Sequence, residues 1–216
     1  MAMFPESVPV SKRCFDMIAT ALLLVCISPV LLIVSVLVWK QHGSPVLFRQ
    51  IRPGYRGKPF KMFKYRTMTE DRNEQGVMLP DQMRLTRLGQ FLRDFSLDEL
   101  PGFFNVIRGE MSLVGPRPLL LQYLDRYSQA QMRRHEVLPG VTGWAQINGR
   151  NALTWEDKFR MDVWYVDNWS FWLDIRILAI TFWKVLKREG INQPGYLTPP
   201  EFMGNPEDPP SGEDPT

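Results

Sequence analysis

Histidine and cysteine are nearly missing from this sequence: it holds two of each, His42 and His135, Cys14 and Cys26. Two histidines leave little material for a histidine-based zinc site or a Ser-His-Asp triad. The cysteines lie in or beside one apolar run, at a spacing that fits neither a metal site nor a CxxC redox pair. They imply no disulfide framework. There is no internal repeat, and no nucleic-acid-binding motif accompanies the positive charge. Charge itself is missing in two places. Residues 17–39 are 23 positions without one. From residue 190 onward there are five acids (Glu201, Glu207, Asp208, Glu213, Asp214) and no lysine or arginine, so the net +3 hides +8 on the residues before. That excess suits an anionic partner such as a phosphate or a lipid headgroup. Seven of the 18 prolines fall in the same tail. It is expected to be extended and partly disordered, with Tyr196, Leu197, Phe202 and Met203 available to dock its first half.

The uncharged run is bounded by Lys12, Arg13 and Asp16 before and Lys40 after. A straight helix over it would be about 35 Å long, against a bilayer core of about 30 Å, which makes a spanning helix the first expectation. Basic residues flank both ends, so charge does not choose an orientation. Ser28-Pro29 stands in the middle of the run. Proline removes an intrahelical hydrogen bond and crowds the preceding turn, while the serine hydroxyl can satisfy a freed carbonyl. Split there, each half measures about 17 Å, enough to enter one leaflet and return. The residues alone are compatible with both topologies.

The stretch that organises the remainder is Arg93-Asp94-Phe95-Ser96-Leu97-Asp98-Glu99-Leu100-Pro101. Before it, Leu85, Leu88, Leu92 and Phe95 recur at helical spacing; after it, Leu100, Phe103, Phe104 and Ile107 resume an apolar pattern that stops at Gly109. Pro101 is tolerated in a first helical turn, which places Asp98 at or next to an N-cap. One reading is structural: Ser96 and Glu99 have the spacing of a capping box. The other is chemical: Asp98 is a nucleophile or base and Glu99 holds a divalent cation at a helix start that also favours phosphate.

Turn residues dominate residues 42–61, with short strands expected at 46–48 and 60–63. Lys58, Lys61, Lys64 and Arg66 concentrate positive charge there, for anionic lipid or for a specific phosphate. Arg117, held between Pro116 and Pro118, has little backbone freedom and suits either a phosphate clamp or a carboxylate bridge. Arg133-Arg134-His135 and residues 139–151 form a second basic, turn-rich segment ending at Asn148-Gly149-Arg150. Six of the seven tryptophans lie from Trp144 onward. Residues 170–189 read as a helix, either an ordinary core helix or one lying in a membrane interface.

Together these pieces resemble the small monotopic phosphoglycosyl transferases of the bacterial sugar transferase family. The likeness runs from Lys12 to about Gly190. It is carried by Ser28-Pro29, Phe63-Lys64-Tyr65-Arg66-Thr67-Met68, Arg93, Ser96-Leu97-Asp98-Glu99-Leu100-Pro101, Gly115-Pro116-Arg117-Pro118, and Pro139-Gly140-Val141-Thr142-Gly143 through Arg150, in that order. The resemblance implies transfer of a sugar-1-phosphate from a UDP-sugar to polyprenyl (undecaprenyl) phosphate with release of UMP, initiating bacterial glycoconjugate assembly. It implies an Asp98 nucleophile, Mg²⁺ held by Glu99 with Asp98, and phosphates held by Lys64, Arg93, Arg117 and Arg150. Asp174 would belong to the membrane-associated helical part. The fold implied is an α-rich α/β architecture: a re-entrant helix broken at Ser28-Pro29 (residues 1–40), a small catalytic domain with interfacial helices and short strands (41–190) and a Pro-rich acidic tail (191–216). Both ends would lie at the cytoplasmic face of the cell membrane, with membrane lipids and downstream glycosyltransferases as partners. UDP-diacetylbacillosamine is the first donor expected, ahead of UDP-GlcNAc-type and hexose donors. The competing reading is a membrane-anchored, non-catalytic adaptor in which Asp98-Glu99 only caps a helix.

Overall fold

The computed structural model describes residues 8–149, 153–187 and 201–204. In chain order its elements are α1 (Val10–His42), β1 (Leu47–Pro53), β2 (Pro59–Tyr65), α2 (Asp81–Arg84), α3 (Arg87–Asp94), α4 (Phe103–Ile107), β3 (Ser112–Val114), α5 (Gln129–Met132), β4 (Gly140–Thr142), α6 (Trp144–Ile147), α7 (Trp155–Asp167) and α8 (Phe171–Lys187). Short 3-10 turns link several of them. The expected α-rich α/β character is present, as two small two-stranded sheets among helices.

The uncharged run lies wholly in α1, which is long and apolar enough to cross a bilayer and continues through Pro29 as one helix, in place of the helix-break-helix expected at Ser28-Pro29. Pro29 has no N–H for the Val25 carbonyl four residues back. Ser28 Oγ donates to that carbonyl at 2.8 Å and replaces the missing donor. The charges before the run do not flank a membrane in the manner expected. Lys12, Arg13 and Asp16 are buried, together with Thr20. The Arg13 guanidinium donates to the carbonyls of Val106 and of Met111, the latter at 3.2 Å. Asp16 accepts from Ser112 Oγ at 2.7 Å and from the Leu113 N–H at 3.3 Å. At the other end of α1, Val34 and Val38 are buried with Tyr65 of β2 and Leu92 of α3. Between these two packed ends, no residue of 21–33 is buried.

β1 and β2 form an antiparallel hairpin in register from Leu47↔Tyr65 to Pro53↔Pro59, each strand longer than its apolar core suggested. The side chain of Asn105, fully buried on α4, serves the backbone of β2. It accepts the Phe63 N–H at 3.1 Å and donates to the Lys61 carbonyl at 2.7 Å, so α4 takes the place of a neighbouring strand. α3 starts where the helical spacing predicts, with Thr86 Oγ1 accepting the Gly89 N–H at 3.0 Å as an N-cap. Only glycine fits at 89, because a Cβ there would lie 1.9 Å from the Thr67 carbonyl oxygen.

β3 and β4 pair in parallel, Ser112↔Gly140 and Val114↔Thr142. The core packs around this pair, with Val106, Met111, Leu113, Ile147, Tyr165 and Ile177 buried together. α8 buries Asp174 and Ile177 on one face and leaves Trp172, Phe182, Trp183 and Leu186 exposed on the rest of its surface. Of the tail residues expected to dock, Phe202 is buried and Met203 is exposed; Tyr196 and Leu197 lie outside the described residues.

Candidate active site

Two turns of backbone set the carboxylates in place. α3 ends at Asp94, Ser96 takes a left-handed conformation (φ 55°), and a 3-10 turn, Leu97–Gly102, carries Asp98 and Glu99. The capping box expected from the sequence does not form. Left-handed backbone at Ser96 turns the chain sharply, and its side chain makes no cap hydrogen bond. A serine held there costs about 1–2 kcal/mol, the kind of local strain that a functional turn retains. The 3-10 turn lies against β2, and this contact brings Lys64 to Glu99.

Lys64 Nζ donates to Glu99 Oε1 at 2.8 Å. Arg117 grips the same carboxylate with both terminal nitrogens, Nη2 on Oε1 and Nη1 on Oε2, the second at 3.2 Å. Glu99 therefore lies between two cations. Burial by itself would raise its carboxyl, but Arg117 and then Lys64 hold it well below the usual carboxylate range. Asp98 differs in every respect. It is 8 % exposed, and among the described residues no hydrogen bond or ion pair reaches its carboxylate. Burial first, then the Glu99 charge, pushes it up to about 6 against the pull of Lys64, Arg93 and Arg117. Adjacent carboxylates thus have opposite properties, one neutralised in place and one free and basic.

Arg93, in the last turn of α3, is oriented by its Nε–H donating to Thr67 Oγ1 at 3.2 Å. Arg117 is set by the backbone around it. A Cβ on Gly140 would sit 2.1 Å from the Gly115 nitrogen, and one on Gly143 would sit 2.2 Å from the Gly115 oxygen. The Gly-Pro-Arg-Pro and Pro-Gly-Val-Thr-Gly motifs are therefore two backbones in direct contact, which no side chain could separate without shifting the arginine. Ser28 and Pro29 are exposed on α1, and Arg150 lies outside the described residues.

Three contributors, Asp162, Asn105 and Arg52, escaped the sequence reading, and a fourth, Arg134, was legible only as part of a basic segment. Arg134 donates to the Arg117 carbonyl at 2.7 Å and forms a buried ion pair with Asp162 of α7, also at 2.7 Å. The signal for Asp162 was its place between Phe159 and Tyr165 at spacings of three, an acid on the buried stripe of a helix. Asn105 likewise interrupts the apolar run of α4. Arg52, on β1, is pushed down to about 10 by burial and then by Arg117, so it keeps its charge at neutral pH; its Nε has no hydrogen-bond partner among the described residues. His135 is buried with Nδ1 3.1 Å from the Gly54 carbonyl oxygen and is pushed down to about 4, which leaves it uncharged and structural. Two surface grooves beside Trp164, one of about 390 Å³, contain none of these residues. The cluster is marked by its charges.

What such a cluster can do is bounded by its chemistry. An unpaired buried carboxylate among three cationic side chains can attack an electrophile that carries negative oxygens, and a phosphate ester is the natural one. Two hard carboxylate ligands are also available for a divalent ion, because Asp98 has no internal partner and Glu99 Oε2 accepts only one hydrogen bond.

Residues 7–188 match the bacterial sugar transferase family. A Bacillus subtilis (strain 168) protein named uncharacterized sugar transferase EpsL is 55% identical over 194 residues, covering 90% of this chain and 96% of that one. A Klebsiella pneumoniae protein named UDP-glucose:undecaprenyl-phosphate glucose-1-phosphate transferase is 44% identical over 185 residues, 81% of this chain and 40% of its own length. An Erwinia amylovora protein named UDP-galactose-lipid carrier transferase is 38% identical over 196 residues, 83% of this chain and 41% of its own. The chain thus spans less than half the length of the last two.

Proposed function

Because the chain belongs to the bacterial sugar transferase family, we propose that it moves a sugar-1-phosphate from a UDP-sugar to undecaprenyl phosphate at the cytoplasmic face of the cell membrane. The observation that carries this reading is the unpartnered, buried Asp98 beside a Glu99 already neutralised by Lys64 and Arg117. Asp98 Oδ attacks the phosphorus that bears the sugar. The new O–P bond forms as the bond from that phosphorus to the bridging oxygen breaks, and UMP departs with the electron pair. The acceptor's phosphate oxygen then attacks the same phosphorus, and the Asp98–phosphorus bond breaks to return the carboxylate. Lys64, Arg93 and Arg117 hold the phosphate oxygens and spread their charge in both steps. Asp98 and Glu99 fit a Mg²⁺ ion completed by substrate phosphates, and when bound it would neutralise charge developing on the departing phosphate.

The relatives' names put UDP-glucose and UDP-galactose at the head of the donor panel, ahead of diacetylbacillosamine. In detergent with Mg²⁺ and undecaprenyl phosphate, one of these donors is expected to give UMP and an intact-mass adduct of one sugar-phosphate on the protein. Silence across the panel from folded protein would overturn the reading.

A topology in which α1 does not cross the bilayer and keeps both ends on the cytoplasmic side has its own support. Both ends of α1 pack on the same domain, at Lys12–Thr20 and at Val34–Val38, and the 13 residues between them amount to about 20 Å of helix, short of a bilayer core of about 30 Å. The exposed aromatic surface of α8 suits the same interface. A cysteine placed before Lys12 in a variant lacking Cys14 and Cys26 is expected to react only with reagent on the cytoplasmic side. Labelling from outside would sink this topology.

A further inference from the structure

The acidic tail has no part in the proposed reaction, yet two of its residues, Glu201 and Phe202, are placed against the site's supports. Phe202 is 4 % exposed. Its ring lies 4.9 Å from Phe159, 5.7 Å from Tyr123, 5.8 Å from Trp155 and 5.9 Å from Tyr127, measured between centroids, so four aromatic rings enclose it. Its backbone is held as well. The N–H donates to Tyr123 Oη at 3.2 Å, and the carbonyl accepts from Arg126 Nη1. Glu201 forms an ion pair with Arg126 at 2.9 Å and accepts from Gln122. Every one of these contacts is to the stretch running on from Arg117 or to α7.

The cage is continuous with the support of Arg117. Tyr127 Oη accepts from Arg134 Nη1 at 3.4 Å, and the Arg134 guanidinium lies 5.7 Å from both the Tyr127 and the Phe159 ring centres. The same guanidinium donates to the Arg117 carbonyl and pairs with Asp162, one turn along α7 from Phe159. A phenyl ring removed from a closed cage leaves a void, and close-packed neighbours shift toward it. Here the neighbours that would shift are those that hold Arg117.

We propose that Phe202 is a positioning residue: by closing the aromatic cage from the C-terminal side, it fixes Tyr127 and Arg134 and hence the loop that presents Arg117 to Glu99 and to the donor's phosphates. The kinetic part of this inference rests on the proposed reaction; the structural part does not. Glu201 and Arg126 hold the segment in register so that the ring enters the cage. The tail segment is therefore part of the donor site, although it touches no substrate.

Full-length protein with Phe202→Ala is expected to lose about 10-fold in kcat/KM for the UDP-sugar, and Phe202→Leu, which refills the cage, to recover most of it. In an Arg117→Lys background the Phe202→Ala factor should shrink to within about 2-fold, since residues that act through one another are not additive. Hydrogen exchange is expected to quicken at the amides of residues 115–127 and to stay unchanged in the β1–β2 hairpin. A fall in thermal midpoint alone, with kcat/KM unchanged, would overturn the proposal. So would the same factor in both backgrounds, or exchange that quickens everywhere or nowhere. If the unaltered protein releases no UMP from any donor, the proposed reaction falls, and the exchange measurement still decides whether Phe202 holds the Arg117 loop.

Discussion

Asp98→Asn is expected to abolish UMP release and, in the same preparation, to make the protein harder to unfold. The two effects have one cause. As the proposed nucleophile, Asp98 must be ionised, accessible and unsatisfied, and its loss should lower turnover by at least about 10³-fold. The same lack of partners makes its charge a burden on the folded state. Burial and the neighbouring Glu99 raise the carboxyl from 3.8 to about 6. A carboxyl whose folded pKa lies above its unfolded value costs stability when ionised. Below about pH 4 it is protonated in both states and the cost is absent; between pH 4 and 6 the cost grows, and above 6 it is complete, at about 3 kcal/mol. Asparagine removes it. For a chain of this size that corresponds to a thermal midpoint higher by on the order of 5 °C at pH 7–8, with the difference closing as pH falls to 4. Activity should follow the opposite course, with kcat/KM falling as pH drops through about 6 and the nucleophile is protonated. A helix cap behaves differently: asparagine caps as well as aspartate does, so that reading expects neither the gain in stability nor the loss of turnover. Retained UMP release in Asp98→Asn, or an unchanged midpoint at pH 8, would remove the physical basis of the site.

The parts of this molecule that could be read from the sequence share a property: each is carried by residues close together in the chain. The uncharged run, α3 with its Leu88-Leu92 face, the rigid Pro116-Arg117-Pro118 arm and the Asp98-Glu99 pair are local patterns, and the structure contains them all. Lys64, Arg93 and Arg117 could be associated with that pair only through the family resemblance. Nothing local shows that β2, α3 and the loop after β3 bring their cations around one pair of carboxylates. The local inference that failed did so for a related reason. Ser96 and Glu99 have the spacing of a capping box, but the chain between α3 and the 3-10 turn has to reverse within a residue, so Ser96 takes left-handed backbone and its side chain loses the reach to cap. Lys12, Arg13 and Asp16 misled more instructively. Charges at the edge of an apolar run suggest a membrane boundary, and here they are the buried root by which α1 joins the rest of the fold.

That root gives the second large effect. Replacing Asp174 by alanine is expected to destabilise the protein by about 3–5 kcal/mol, because it strands Lys12 in the interior. The pair lies at the junction of α1, β3 and α8, with side chains only 5 % and 3 % exposed. Asp174 also accepts from Tyr165 Oη at 2.7 Å and from Trp169 Nε1 at 3.0 Å, while Lys12 Nζ donates a further bond to the Val114 carbonyl at 3.2 Å. These bonds compensate both ions; losing the acid leaves Lys12 and Tyr165 Oη to share the Val114 carbonyl and takes the acceptor from Trp169 Nε1. The thermal midpoint should fall by on the order of 10 °C. Lys12→Met should cost a comparable amount, since it leaves the carboxylate buried with neutral donors only. In the double variant, Lys12→Met with Asp174→Leu, neither ion of the pair remains to be desolvated, and much of the loss should return. The cycle discriminates sharply. Strong non-additivity would show that the pair acts as one unit tying the foot of α1 to α8, whereas additive losses would mean that each side chain merely fills space. Because Asp16 and Arg13 of the same turn bond to the strand and helix on either side, weakening this pair should also loosen α1 from the domain. Proteolysis near Lys12 is therefore expected to quicken in the single variants and to slow again in the double.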